Sequence, residues 1–226
     1  MKFDLAISIG INCQCRYNIS RTLYRNAFGS DKGFRIGSKL LAEIDYGSFF
    51  FDWSVTPIHS AISVFENAFE GVLKCDNLQL RELADGTQTV VDVASGCEYP
   101  HTFPKTNVGK CSYELINSSF EEVSKKYMYV ADKTLQALHS NAQILFVLTG
   151  NHASGDLCDV LSRYTCNFQV LYTPWENMPG FSGMPIQNPK VIQRPIQYAK
   201  YPGNLESWNI ALHGIKLQRP KSEICQ

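Results

Sequence analysis

Residues 143–149, Gln-Ile-Leu-Phe-Val-Leu-Thr, make a continuous apolar run between turn signals, with Gly150-Asn151-His152 following. A short, uniformly apolar run of this kind suits a strand buried on both faces, as in a parallel sheet. A second strand is expected at the start of the chain, where Phe3, Leu5, Ile7 and Ile9 alternate with other residues. Gly10 to Cys13 reads as a turn, and Tyr17, Leu23, Tyr24 and Phe28 then recur at helical spacing. Parallel strands need helices to cross between them, so these segments together point to an α/β chain.

The remaining segments fit that class. Residues 29–47, rich in Gly, Ser and Lys, read as an irregular connection. Phe49-Phe50-Phe51 reads as a short strand that stops at Asp52-Trp53. Pro57 suits the first turn of a helix that carries Ile58, Ala61, Ile62, Phe65 and Phe69 on one face. A strand is expected over 87–95, followed by a loop from Gly96 to Pro104. Ser118 with Glu121 resembles a capping box and would open the longest helix, about 119–140. A short helix near 156–164, a strand near 167–172 and a further strand at 190–194 follow. Six prolines between 174 and 203 mark an otherwise irregular stretch, and Asn204 would cap a last helix through Leu205, Trp208, Ile210, Leu212 and Ile215. The expected architecture is one α/β domain over residues 1–226. It has three layers and a mainly parallel sheet, SGNH-hydrolase-like or Rossmann-like.

Composition narrows the function. Lys plus Arg and Asp plus Glu both number 21, so no electrostatic excess draws the chain to nucleic acid or an anionic membrane. The start of the chain lacks the features of a signal peptide, and no run reaches the length of a membrane span. Eight cysteines in 226 residues are too sparse for a disulfide-stapled secreted scaffold, so a cytoplasmic, thiol-reduced protein is expected. Cys13 and Cys15 form C-x-C with no second pair, which argues against a zinc site and against a C-x-x-C redox motif.

The sharpest chemical feature is Ser8-Ile9-Gly10-Ile11-Asn12-Cys13-Gln14. It places Cys13 where the first strand ends and a helix begins, the edge at which parallel sheets bind ligands. Unpaired N–H groups and the positive end of the helix dipole favour a thiolate there, the form that attacks an acyl carbon. Those N–H groups, with Gly10 in the turn and the amides of Asn12 or Gln14, would hold a developing oxyanion. The base would be His101, in a loop between two prolines, or His152, after the buried strand. Asp52, followed by Trp53, is the candidate carboxylate to orient the imidazole. No P-loop or G-x-G-x-x-G follows the first strand, so nucleotide binding in those forms is not expected.

The Ser-Ile-Gly-Ile-Asn-Cys-Gln start, Phe50-Phe51-Asp52-Trp53 with Thr56-Pro57, the His101-Thr-Phe103 loop and the stretch from Phe120 through Lys126-Tyr127 together resemble a bacterial family of uncharacterised proteins described as papain-like cysteine peptidases. The resemblance covers roughly residues 3–150. It implies a nucleophile at Cys13 and a partner at His101, with Asp52 in a shared motif. The papain signature C-G-[SA]-C-[WY] is absent, and His152 rather than His101 has papain-like separation from Cys13. A nucleophile after the first strand resembles the SGNH-hydrolase arrangement, and Asn12-Cys13-Gln14 is similar to a capsule-biosynthesis family that handles acyl groups from coenzyme A. The expected function is therefore cysteine-dependent acyl transfer, by a peptidase or related hydrolase. An alternative is an acyltransferase or esterase acting on cell-surface polysaccharide precursors. The substrate would be a small molecule or a peptide, with no cofactor unless coenzyme A carries the acyl group. A rival from another class is a non-catalytic module that binds a glycan or phosphate at the same edge, with Trp53, Trp175 and Trp208 as stacking surfaces.

Overall fold

The computed structural model describes residues 1–10, 13–28, 48–150, 155–179 and 186–218. Asn12, His152 and the 29–47 connection lie outside them. Among the described residues no helix is long and apolar enough to cross a membrane.

The chain is mixed α/β with mostly parallel pairing. Strand β1 (Lys2–Phe3) is followed after Asp4 by β2 (Leu5–Gly10), buried at every position. A helical stretch comes next: α1 (Gln14–Ile19), a π turn at Ser20–Tyr24, then α2 (Arg25–Phe28). Helix α3 (Ile58–Glu66) precedes an antiparallel sheet of β3 (Leu78–Glu82), β4 (Gln88–Asp92) and β5 (Cys97–Tyr99). The long α4 (Tyr113–His139) leads into β6 (Ile144–Thr149), then α5 (Gly155–Ser162) and β7 (Phe168–Thr173). The short β8 (Val191–Gln193), α6 (Leu205–Ala211) and β9 (Lys216–Leu217) complete it.

The principal sheet has the order β2-β6-β7-β8, all parallel, and β9 pairs in parallel with β1. Its register matters for the site. Gly10 is opposite Thr149, and Thr149 is opposite Thr173, so three strands end level with one another. As expected from its run of Ile, Leu, Phe and Val, β6 is fully buried. Its Phe146 ring packs against Phe65 of α3 and Phe168 of β7, at 6.4 and 6.1 Å between centroids.

Several sequence expectations need correction. Phe49-Phe50-Phe51 is a turn, because the Asp52 carboxylate accepts the Phe49 N–H and the Asp52 N–H returns to Phe49 O. The three rings instead fill the core between α3 and α4: Phe50 meets Tyr127 at 5.7 Å and Phe51 meets Phe65 at 5.2 Å. The long helix starts at Tyr113, six residues early. Ser112 is its cap, accepting from the Leu115 N–H, while the Ser118 hydroxyl donates back to Leu115 O inside the helix. The expected loop from Gly96 contains β5, whose Glu98 also bridges Val55. The last helix is capped by Asn204 as expected but ends at Ala211, and Ile210 faces solvent.

Candidate functional site

The candidate site lies at the C-terminal edge of the parallel sheet. Cys13 follows β2 by three residues and is the N-cap of α1, and its own side chain makes no capping hydrogen bond. The Tyr17 N–H donates to Cys13 O at 3.0 Å, the first bond of the helix. The Cys13 side chain is half-buried. Burial pushes its thiol up, and a contact with its own backbone N–H offsets only part of that. The resting group is thus a protonated thiol, and desolvation outweighs the helix terminus that was expected to favour the thiolate.

Cys15 has a different role. Its Sγ lies 2.8 Å from Thr149 Oγ1, which lies 2.7 Å from Thr173 Oγ1, and the Thr173 hydroxyl donates to Leu148 O at 3.1 Å. With the Thr173 proton committed to Leu148, Thr149 donates to Thr173 and the Cys15 S–H donates to Thr149. This row ties the first turn of α1 to the ends of β6 and β7. The Cys15 thiol is fully buried and pushed up to about 12, chiefly by that burial.

Asp52 lies beneath α1 with no exposed surface. Its Oδ1 accepts the Ser8 hydroxyl at 2.6 Å, and its Oδ2 accepts the Phe49 N–H at 2.7 Å and faces Arg16 at 3.3 Å. The Arg16 guanidinium also stands 5.3 Å from the Tyr24 ring centroid, and the Tyr24 hydroxyl donates to Ala6 O. Asp52 therefore joins β2, α1 and the 49–52 turn. No histidine is hydrogen-bonded to it among the described residues.

His101 is exposed, in the turn after β5. Desolvation, with Lys105 adding to it, lowers its imidazole, so the neutral form gains. Its neighbour Thr102 shares a hydrogen bond with Tyr127. No hydrogen bond joins His101 to Cys13 or Asp52 among the described residues. Trp53 is half-buried and donates to Ser48 Oγ. Trp175 and Trp208 are buried, which removes them as stacking surfaces.

Gln14, expected as an oxyanion donor, is buried and donates through Nε2 to Ala199 O at 2.9 Å. Asn18, one turn on, donates to Pro202 O at 3.0 Å. The 199–202 segment is thereby fastened along α1 beside Cys13, and the Tyr201 ring meets the Tyr17 ring at 5.4 Å. Sequence reasoning missed Cys15, Thr149, Thr173, Arg16 and Tyr201. Only the Thr at the end of β6 and the Thr at the end of β7 gave a signal, as polar ends to apolar runs. Among the described residues no three His, Cys, Asp or Glu side chains are grouped to hold a metal ion.

No protein-family model matches the chain, and neither a curated protein nor a solved structure does.

Proposed function

We propose that the chain is a cysteine-dependent acyl-transfer enzyme, a hydrolase or acyltransferase, with Cys13 as nucleophile. One observation carries the reading. Cys13 stands at a helix N-terminus on the C-terminal edge of a parallel sheet, with a partly open thiol. The resemblance to papain-like cysteine peptidases supports a peptide substrate, and the similarity to acyl-handling capsule proteins supports a thioester or acylated sugar. A three-layer domain of SGNH-hydrolase or Rossmann type is part of the same proposal. Phe65 reaches β6 at Phe146 and Cys15 reaches it at Thr149, an odd number of positions apart, so α3 and α1 cover opposite faces.

The base we favour is His152. It is three residues beyond Thr149, as Cys13 is three beyond Gly10, and Gly10 and Thr149 are register partners. Because the resting thiol is protonated, the base must take the proton as sulfur attacks. The S–C bond forms and the carbonyl electrons move to oxygen, facing the first-turn N–H groups of α1. Collapse breaks the bond to the leaving group, which takes the proton from the imidazolium. Water or an acceptor hydroxyl, deprotonated by the same imidazole, then cleaves the thioester and restores the thiol. Asp52 serves this site indirectly, by holding Arg16 and Ser8 beneath it.

A second reading, a non-catalytic binding module at the same edge, is favoured by the raised Cys13 thiol. Treatment with p-nitrophenyl acetate followed by peptide mapping separates the two. An enzyme acylates first at Cys13 and loses that label in Cys13→Ala. Acylation no faster at Cys13 than at the exposed Cys75 and Cys166 would favour the binding module.

A further inference from the structure

A cleft of about 620 Å³ lies between α4 and the 68–76 segment, and it shares no residue with the Cys13 edge. Phe120, Ser124, Tyr127, Ala131 and Leu135 recur every three or four residues, so they form one stripe along α4. The floor of the cleft is Phe69, Leu73, Tyr127 and Ala131, all buried. The facing wall is fixed in place. The Phe69 N–H donates to Val64 O at 2.9 Å, and the Leu73 N–H donates to the buried Asp92 carboxylate at 2.7 Å. The Phe69 ring also packs on Phe50, at 5.0 Å between centroids. A ligand therefore meets a cavity already formed, of a size within the roughly 300–1,000 Å³ of small-molecule sites. Charge sets the class of ligand. The exposed lining residues, at the mouth, include the carboxylates of Glu70, Asp76 and Asp132 and the amine of Lys74. None of these four makes an ion pair or a side-chain hydrogen bond among the described residues. Three carboxylates against one amine leave a negative mouth over an apolar floor.

We propose that this cleft binds a small amphipathic cation, an apolar body that ends in an ammonium group. The apolar body rests on Phe69, Leu73 and Ala131, where its burial supplies most of the affinity. The ammonium stays at the mouth, where the attraction of Glu70, Asp76 and Asp132 together exceeds the repulsion of Lys74. A neutral ligand with the same body forgoes that attraction, and an anionic one is repelled. The site is independent of the acyl-transfer reading of Cys13, and no covalent bond forms or breaks in it.

The test compares phenylbutylamine with phenylbutanol and phenylvalerate, which share one apolar body and differ in the charge of the head group. Cys75 lines the cleft and is exposed, so binding is read as slower alkylation of Cys75 by iodoacetamide. The exposed Cys166 is the reference in the same molecule. The urea midpoint gives a second reading that does not need the ligand to cover the thiol, since a ligand that binds only the folded chain raises it. At low millimolar concentration the amine should slow Cys75 about threefold or more, leave Cys166 unchanged and raise the midpoint. It should bind about threefold to tenfold more tightly than the alcohol, with the acid weakest. The combined variant Glu70→Gln, Asp76→Asn, Asp132→Asn alters only exposed side chains, and it should bring the amine down to the affinity of the alcohol. An amine that neither protects Cys75 nor raises the midpoint would overturn the proposal. So would an alcohol or acid that binds as well as the amine in the wild-type chain, or a preference for the amine that survives in the combined variant.

Discussion

Arg16 and Asp52 face each other at 3.3 Å with almost no solvent contact, 2 % and 0 % exposed. A buried pair of this kind is more easily broken than replaced, because removing one partner leaves the other charge desolvated and alone. The pair also sets the position of α1, since Asp52 binds Ser8 of β2 and the turn at Phe49.

Asp52→Ala should therefore destabilise the fold by about 3–5 kcal/mol, seen as a lower urea midpoint. Any lost activity in this variant should track the loss of folded protein. A stable Asp52→Ala chain that is nonetheless inactive would return Asp52 to the catalytic role read from the sequence.

Alkaline pH should weaken the fold in a defined window. Cys15 is raised from 9.0 to about 12 and Cys97 from 9.0 to about 11, both chiefly by burial. Each folded value lies above the unfolded one, so the stability it contributes is complete below about pH 9 and lost as pH rises through the folded value. Tyr24 and Tyr127, raised from 10.0 to about 12, steepen the loss above about pH 10. Urea midpoints should hold up to about pH 9 and fall beyond it, with a shallower fall in Cys15→Ala. A midpoint that stays level to about pH 11 would show that these groups ionise freely in the folded chain.

The 68–73 turn stores backbone strain. Ala68, Phe69 and Leu73 have φ values of 48°, 64° and 53°, in the left-handed region that side chains disfavour. Ala68 is exposed, so its methyl group contributes little packing. Ala68→Gly should stabilise the chain by about 0.5–1 kcal/mol in urea denaturation, because the left-handed cost outweighs the added freedom of the unfolded chain. A destabilised variant would mean that the strain is relieved elsewhere.

Gly203→Ala should loosen the 199–203 segment, since its methyl group would collide with Gln14 and Trp208. The variant should lose about 2 kcal/mol or more in stability, read as a lower urea midpoint. An unchanged midpoint would show that Gln14 and Trp208 move aside at little cost.

The strands of the principal sheet were legible because their residues carry the signal themselves. Ile144 to Leu148 are apolar without interruption, and Leu5, Ile7 and Ile9 lead into a glycine. Asn204 was legible as a cap for the same local reason. The Phe49 turn was not, since what bends it is the Asp52 carboxylate, and a run of three Phe looks like a strand until that carboxylate has a place. The start of the long helix was not legible either, because Ser118 with Glu121 has the capping-box pattern, whereas Ser112, with Leu115 three residues on, caps through its own hydroxyl alone. β9 was hidden because its pairing depends on β1, over two hundred residues away. At the site, the position of Cys13 was readable from strand, turn and helix in sequence. Its raised thiol was not, because burial is set by how the chain packs and not by the local sequence. The role of Arg16 was hidden for the same reason: its partner Asp52 is 36 positions away.

Whether Cys13 is a nucleophile served by a histidine is decided by the pH dependence of its alkylation. Iodoacetamide labelling of Cys13 is followed by mass spectrometry from about pH 5.5 to 9.5 in wild type, His152→Ala and His101→Ala. The wild-type rate should rise through the histidine range, near pH 6.5. His152→Ala should abolish that rise and leave only the alkaline reactivity of a desolvated thiol, while His101→Ala leaves the profile unchanged. A single alkaline rise common to all three proteins would contradict the claim and leave Cys13 as one wall of a binding site.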